Sequence, residues 1–248
     1  MARFEDHFGG HSRAYADARP DYPEELFAWL ASRTHGRALA WDCATGTGQA
    51  ASRLRTYFDR VIATDASPGQ VRSGRAAPGV GYAVAEAAHA PVAAGRVDLV
   101  AVAQALHWFD VPAFFAEVQR VLRPGGVLAV WGYGLCRVNP AIDAVLADFH
   151  DRRLAAWWPP ERAWVAAGYP GLELPFTPLE APDFGIVRHW DLATFLAYIG
   201  TWSGVKRAEA AGEAPASELR RALAPLWAGE HRVRWPLSVH ASCRPAGA

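Results

Sequence analysis

With 248 residues, about half of them apolar, the chain can bury a sizeable core as one elaborated domain or two small ones. Lys plus Arg and Asp plus Glu balance at 25 each, and no basic cluster is interleaved with aromatics, which argues against a nucleic-acid partner. No stretch is apolar for the length a bilayer needs, the MARFED start has no apolar run behind it, and Cys43, Cys136 and Cys243 lack metal or disulfide spacing, so a reduced, soluble, cytoplasmic protein without metal is expected.

The segment Phe4–Thr34 reads as a helix, the loop Arg19-Pro20-Asp21-Tyr22-Pro23, and a second helix from Pro23 to Ser32, with Pro23 suited to a first helical turn. From Arg37 onward short apolar runs alternate with helical periodicity. Ala38–Cys43, Val61–Thr64, Gly81–Ala85, Val97–Ala103 and Val127–Tyr133 read as strands. Gln49–Tyr57, Pro68–Arg75 and Val111–Leu122 read as helices, the last opening at Asp110 as N-cap and closing before Arg123-Pro124-Gly125-Gly126. Strands that are apolar throughout, rather than alternating, belong to a parallel sheet covered on both faces, hence a doubly wound α/β fold with its ligand at the carboxyl ends of the strands. Past Tyr133 come a helix from Asn139 to about Trp158, a Pro-rich connection through Pro182, helical stretches over Leu192–Ile199 and Ala216–Trp227, and a final strand Arg232–Cys243. The expected division is a helical lid segment over 1–34, a cofactor-binding core over 35–135, and a helical substrate cap with the closing strands over 136–248.

The stretch AWDCATGTGQAA, from Ala40 to Ala51, can be parsed as GxGxxA from Gly46 or as DxAxGxG from Asp42. A dinucleotide loop rests a pyrophosphate on the helix amino terminus. A carboxylate at Asp42 repels that pyrophosphate and attracts the ammonium group of an amino-acid-bearing cofactor, so the loop fits S-adenosylmethionine better than NAD. Asp65, seventeen residues after Gly48, can accept both ribose hydroxyl hydrogen bonds, which serves either cofactor. In Ala85-Glu86-Ala87-Ala88 a polar and an apolar group can meet an adenine edge and face.

Three later blocks, VDLV from Val97, AQALHWFD from Ala103 and LRPGG from Leu122, stand at spacings that resemble the class I methyltransferases, specifically the small-molecule branch of type 11 methyltransferase-domain proteins and the trans-aconitate methyltransferase-like group. The resemblance extends to HFGGHSRAYADARPDYP (His7–Pro23), to Thr201-Trp202-Ser203-Gly204-Val205-Lys206-Arg207 and to Arg234-Trp235-Pro236-Leu237, so it covers nearly the whole chain. It implies a Rossmann-like, mainly parallel seven-stranded sheet with an N-terminal helical segment and a C-terminal helical cap. It also implies that Ala66, Glu86, Ala87 and Gln104 line the adenosine or the methionine carboxylate side, and that Tyr15 and Arg19 close over the cofactor, Arg19 pairing with its carboxylate. Gln49 serves either the loop backbone or the cofactor. Ala44 stands where that group usually has Gly: a negative φ there costs nothing, and a positive one strains or displaces the loop.

His107 and Trp108 follow the fourth strand, beside the place of the transferable methyl. His107 is a candidate general base, although a carboxylate acceptor needs none, in which case it orients substrate or packs. Trp108 reads as a pocket wall, and of the many tryptophans Trp131 and Trp202 join it as candidate acceptor contacts, others being core. The implied activity is a methyltransferase that moves a methyl group from S-adenosylmethionine to an oxygen or nitrogen of an organic acid or natural product, leaves S-adenosylhomocysteine, and works as a monomer or homodimer. The alternatives are an NAD-dependent oxidoreductase and a methyltransferase-like protein that binds the cofactor without transferring the methyl.

Overall fold

A computed structural model describes residues 20–246. The helix expected before Arg19, together with Tyr15 and Arg19, lies outside the described residues. The chain enters α1 (Glu24–Arg33) with Pro23 as an extended N-cap, acids in the first turn and Arg33 in the last, the charge order a helix dipole favours. The core then alternates through β1 (Leu39–Cys43), α2 (Gln49–Leu54), β2 (Arg60–Asp65), α3 (Pro68–Arg72), β3 (Val80–Val84), β4 (Val97–Ala103), α4 (Val111–Val121) and β5 (Leu122–Gly132). Past β5 the chain carries α5 (Pro140–Asp148), α6 (Arg162–Ala166), β6 (Thr177–Leu179), β7 (Gly185–Trp190), α7 (Leu192–Ile199), α8 (Ser203–Ala210), α9 (Pro215–Leu223), β8 (His231–Pro236) and β9 (Ser238–Cys243).

Seven strands form one sheet in the order β3-β2-β1-β4-β5-β9-β6. The first five pair in parallel, and β9 runs antiparallel to both β5 and β6. This is the doubly wound, mainly parallel seven-stranded sheet that the continuous apolar runs require. Their composition has a direct cause in β4: Leu99 and Ala101 pack on the face covered by α1 and α2, and Val100 and Val102 on the face covered by α4. With water excluded from both faces, no position can be polar at low cost. The edge strand β3 is the exception, leaving Val84 exposed.

Several expected elements change. The helix expected over 139–158 is α-helical only through Asp148, then widens into a π turn (Phe149–Arg153) and a 3-10 turn (Ala155–Trp157). The winding breaks where Arg153 pairs with Glu213 and Glu218 and the Trp158 indole folds back to donate to the His150 carbonyl at 2.9 Å. The final strand expected over 232–243 is two strands in different sheets. β8 pairs with β7 in a separate two-stranded sheet, and Pro236, which has no N–H to continue a ladder, ends it. The LRPGG stretch, expected as a turn before the fifth strand, lies inside β5 as a bulge, its register shifting between Val97↔Leu122 and Leu99↔Val127. Gly125 in that bulge has φ 75°, and a side chain there would run into His35. β6 and β7 carry no strand signal in a Pro-rich stretch; the proline of β6 is tolerated because the strand is an edge.

Among the described residues no helix is long and apolar enough to cross a membrane, no group of His, Cys, Asp and Glu could hold a metal ion, and the three cysteines are free.

Candidate functional site

The loop leaving β1 turns within a few residues by using left-handed backbone three times: Ala44 at φ 55°, Gly46 at 58° and Gly48 at 83°. For the glycines this is free, and for Ala44 it costs about 1–2 kcal/mol. The Ala44 position is therefore strained but not displaced, because the next residue is tied to β2 by the bond from Thr45 N to the Thr64 carbonyl at 2.8 Å. Gly48 is also the N-cap of α2, and a Cβ there would collide with the Tyr82 hydroxyl. That hydroxyl donates to the Arg75 carbonyl at 2.9 Å, while Arg75 N donates to the Thr47 carbonyl at 3.0 Å, so the segment after α3 folds back onto the glycine loop.

Two carboxylates flank the loop. Asp42 is buried near the carboxyl end of β1 and accepts from the Thr45 hydroxyl at 2.5 Å. Burial pushes its pKa up to about 7, with the Thr45 and Ala51 hydrogen bonds pulling the other way and the Asp65 charge adding to the rise. Asp65, the last residue of β2, accepts Gly46 N on one oxygen and Ser67 N on the other, each at 2.9 Å. Gln49 opens α2 with its side-chain Nε2 buried and without a hydrogen-bond partner among the described residues. Asp42, Ala44, Gly46, Gly48, Gln49 and Asp65 are thus brought together at the carboxyl ends of β1 and β2, with Ala66 half-buried beside Asp65. Past β3, Ala87 packs on the α4 side of the sheet, while the Glu86 side chain faces solvent beside His89 at 3.7 Å.

The end of β4 builds the second half. Gln104 has φ 57°, and its backbone N and side-chain Nε2 bond to the Trp131 and Tyr133 carbonyls at 2.9 and 3.1 Å, clamping β4 to β5. The 3-10 turn Leu106–Trp108 follows. Gln104, His107, Trp108, Tyr133, Arg162 and Trp202 line a cavity of about 60 Å³. The Arg162 guanidinium stacks 4.5 Å over the Trp158 ring. Burial, then the Arg162 charge, lowers the His107 pKa to about 3, so the imidazole is neutral near pH 7 and a poor base. Trp131 does not line this cavity: it is fully buried in the core, edge-on to Tyr22 at 5.7 Å and Phe27 at 6.2 Å. Its parity along β5 puts it with Val127 and Ala129 on the α1 face. Tyr133, Arg162 and Tyr198, which sequence reasoning did not single out, line the cavity instead. Tyr133 had a signal as the end of an apolar run; Arg162 sits in a Pro-rich stretch without periodicity and had none.

The family profile for a methyltransferase domain matches residues 41–130. Over 206 residues the chain is 32% identical to a protein described as a methyltransferase from Dictyostelium discoideum, the match covering 82% of this chain and 78% of that one. It is 40% identical over 126 residues to an uncharacterized methyltransferase of Mycobacterium tuberculosis, 50% of this chain and 51% of the relative. A solved structure of a protein described as a type II methyltransferase from Anaeromyxobacter dehalogenans superimposes with a TM-score of 0.86 at 42% identity, covering 92% of this chain and 99% of that chain.

Proposed function

The chain belongs to the class I S-adenosylmethionine-dependent methyltransferases, and we propose that it methylates an oxygen or nitrogen of a small-molecule acceptor, an organic acid or natural product, leaving S-adenosylhomocysteine. The observation that carries the cofactor half is the bridging of Gly46 N and Ser67 N by Asp65, which fixes a carboxylate at the carboxyl ends of β1 and β2, the place where an acid can accept from ribose hydroxyls. The buried Asp42 carboxylate suits the ammonium group, and the buried Gln49 Nε2 is a donor left for a carboxylate or the cofactor's backbone-like end. A pyrophosphate beside the Asp42 carboxylate would be repelled, which argues against the dinucleotide parse.

When bound, the cofactor supplies an electrophilic methyl on a positive sulfur. Everything else falls to the chain: holding the acceptor in line, excluding water and supplying no group that competes for the methyl. In this reading Ala66 and Ala87 form the apolar wall of the adenosine site, Gln104 bounds the methionine side, and residues 1–34 with Tyr15 and Arg19 close it. Glu86, with its side chain in solvent, contributes least. Residues 136–248 form the acceptor cap, with Trp108 and Trp202 as aromatic walls, Arg162 as the cation and His107 as an orienting group.

Thermal-shift titration separates the cofactors, because a ligand that binds only the folded state raises its midpoint. S-adenosylhomocysteine is expected to raise it and NAD to leave it unchanged; the reverse overturns the cofactor assignment. Transfer of a labelled methyl group across a panel of organic acids, phenols and amines then tests the reaction, and an absence of labelled product across the panel in a protein that binds S-adenosylhomocysteine points to cofactor binding without methyl transfer.

A further inference from the structure

Tyr169 is buried, lies outside the cavity lining, and has left-handed backbone at φ 59° immediately after Gly168 at 81°. The turn is closed by bonds from Tyr169 N to the Trp164 carbonyl at 2.9 Å and from Leu172 N to the Tyr169 carbonyl at 3.1 Å. Such strain in a non-glycine residue persists where the surroundings over-determine it. Here they are aromatic: Trp164 edge-on at 5.1 Å, His240 at 6.2 Å and His107 at 6.4 Å between ring centroids. The ring is thereby aimed at the first turn after β4.

At that turn the Tyr169 hydroxyl stands 3.4 Å from the His107 Nδ1. A phenol is the better donor and a neutral imidazole nitrogen the better acceptor, so the hydroxyl proton is directed at Nδ1. A neutral imidazole carries a single N–H, so the nitrogen that accepts from tyrosine leaves the proton on the other.

We infer that Tyr169 is a positioning residue that locks His107 as the Nε2–H tautomer, so that His107 offers the acceptor an N–H donor and not a basic lone pair. The burial and the Arg162 charge that keep the ring neutral act in the same direction. The functional half of this inference rests on the methyl-transfer reading; the tautomer does not. In the transfer itself the carbon–sulfur bond breaks with its electron pair going to sulfur, and the new bond is made by a pair already on the acceptor. An acceptor that arrives as an anion has no proton to lose, and a donor on His107 beside the Arg162 cation steadies it until the methyl is transferred.

The test is the ¹⁵N spectrum of the full chain labelled at histidine, with His107 assigned by its loss in His107→Gln. An unprotonated Nδ1 and a protonated Nε2 are expected, and in Tyr169→Phe a shift of the population toward Nδ1–H. A protonated Nδ1 in the parent protein, or an unchanged tautomer in Tyr169→Phe, overturns the inference. Should Tyr169→Phe lose its fold, the parent spectrum decides the tautomer, and two His107 variants decide its role. The Gln amide reaches the place of Nε2 and keeps a donor there, whereas the Asn amide reaches only the place of Nδ1. Both variants are expected to lower kcat, His107→Asn by roughly 10²-fold, the usual loss for one donor, and His107→Gln by clearly less. Equal loss in both means that the lone pair was needed, and overturns the donor role. A protein that shows the expected tautomer and yet transfers no methyl leaves the tautomer standing and overturns the proposed function instead.

Discussion

Asp98 and Arg123 meet at 3.0 Å at the amino end of β4, the Asp98 side chain wholly buried and Arg123 partly exposed. The second Asp98 oxygen accepts Leu39 N at 2.9 Å, so a single carboxylate ties the entry of β1 to the bulge of β5. These residues belong to VDLV and LRPGG, two blocks that carry the family resemblance, and they lie at the end of the sheet opposite the ligand. Their role is structural.

Asp98→Ala leaves the Leu39 N–H and the Arg123 guanidinium without this partner, and is expected to cost about 3 kcal/mol, the lower end for breaking a buried pair, since Arg123 reaches water. Chemical denaturation measures it. The affinity of the still-folded protein for S-adenosylhomocysteine should not change; a large loss of affinity without a loss of stability would place Asp98 in the site.

Ala44→Gly removes the penalty of a Cβ at φ 55°. After the extra chain entropy of glycine in the unfolded state, a gain of about 1 kcal/mol remains. A fall in the melting midpoint would show that the strained alanine makes contacts worth more than its backbone cost.

Gly48→Ala adds both a Cβ at φ 83° and a collision with Tyr82. Stability should drop by about 2 kcal/mol or more, and S-adenosylhomocysteine should bind less tightly. Adding Tyr82→Ala should recover the collision part and not the backbone part, a non-additivity that a double-mutant cycle reads directly. Strict additivity would mean that Tyr82 does not hold this position in solution.

The proton on Asp42 sets a pH dependence. Burial holds its folded pKa at about 7, above the ordinary aspartate value of 3.8. Between these values the folded state binds more protons than the unfolded one, so this contribution is full below about pH 4 and is lost as pH rises to about 7, at most about 1.4 kcal/mol per pH unit. Asp42→Asn is expected to flatten that part of the stability profile. Cofactor binding runs the other way, because an ammonium group favours the ionised carboxylate. S-adenosylhomocysteine should bind more tightly at pH 8 than at pH 6, with proton release measurable by calorimetry in buffers of different ionisation enthalpy; a pH-independent affinity would remove Asp42 from that role.

The two halves of the site differ in how far the sequence discloses them. Asp42, Gly46, Gly48 and Asp65 sit at or just past the ends of strands whose largely apolar runs mark a sheet covered on both faces, so their meeting follows from topology. Trp131 and Trp202 are alike as letters. Only the parity of β5 and the side on which α1 packs separate a core ring from a cavity wall, and the position of α1 is a tertiary fact. Arg162 and Tyr169 come from a stretch of Pro, Ala and Trp with no period of 2 or 3.6, and reach the 106–108 turn by contacts that no local pattern encodes. The break at Pro236 has a local cause, a missing N–H, but the reassignment of β8 to another sheet does not.

Leu237 is the sole residue between β8, in the small two-stranded sheet, and β9, which lies between β5 and β6 in the large one. The small sheet and the large one are therefore sewn together through β8 and β9, and neither is an exchangeable cassette. Cutting after residue 135 would bare the apolar edge of β5, an invitation to edge-to-edge association. A chimera that grafts a new C-terminal half onto this core has to carry a β9 of its own that fits between β5 and β6 in register, and during synthesis the large sheet stays incomplete until residues 238–243 have emerged.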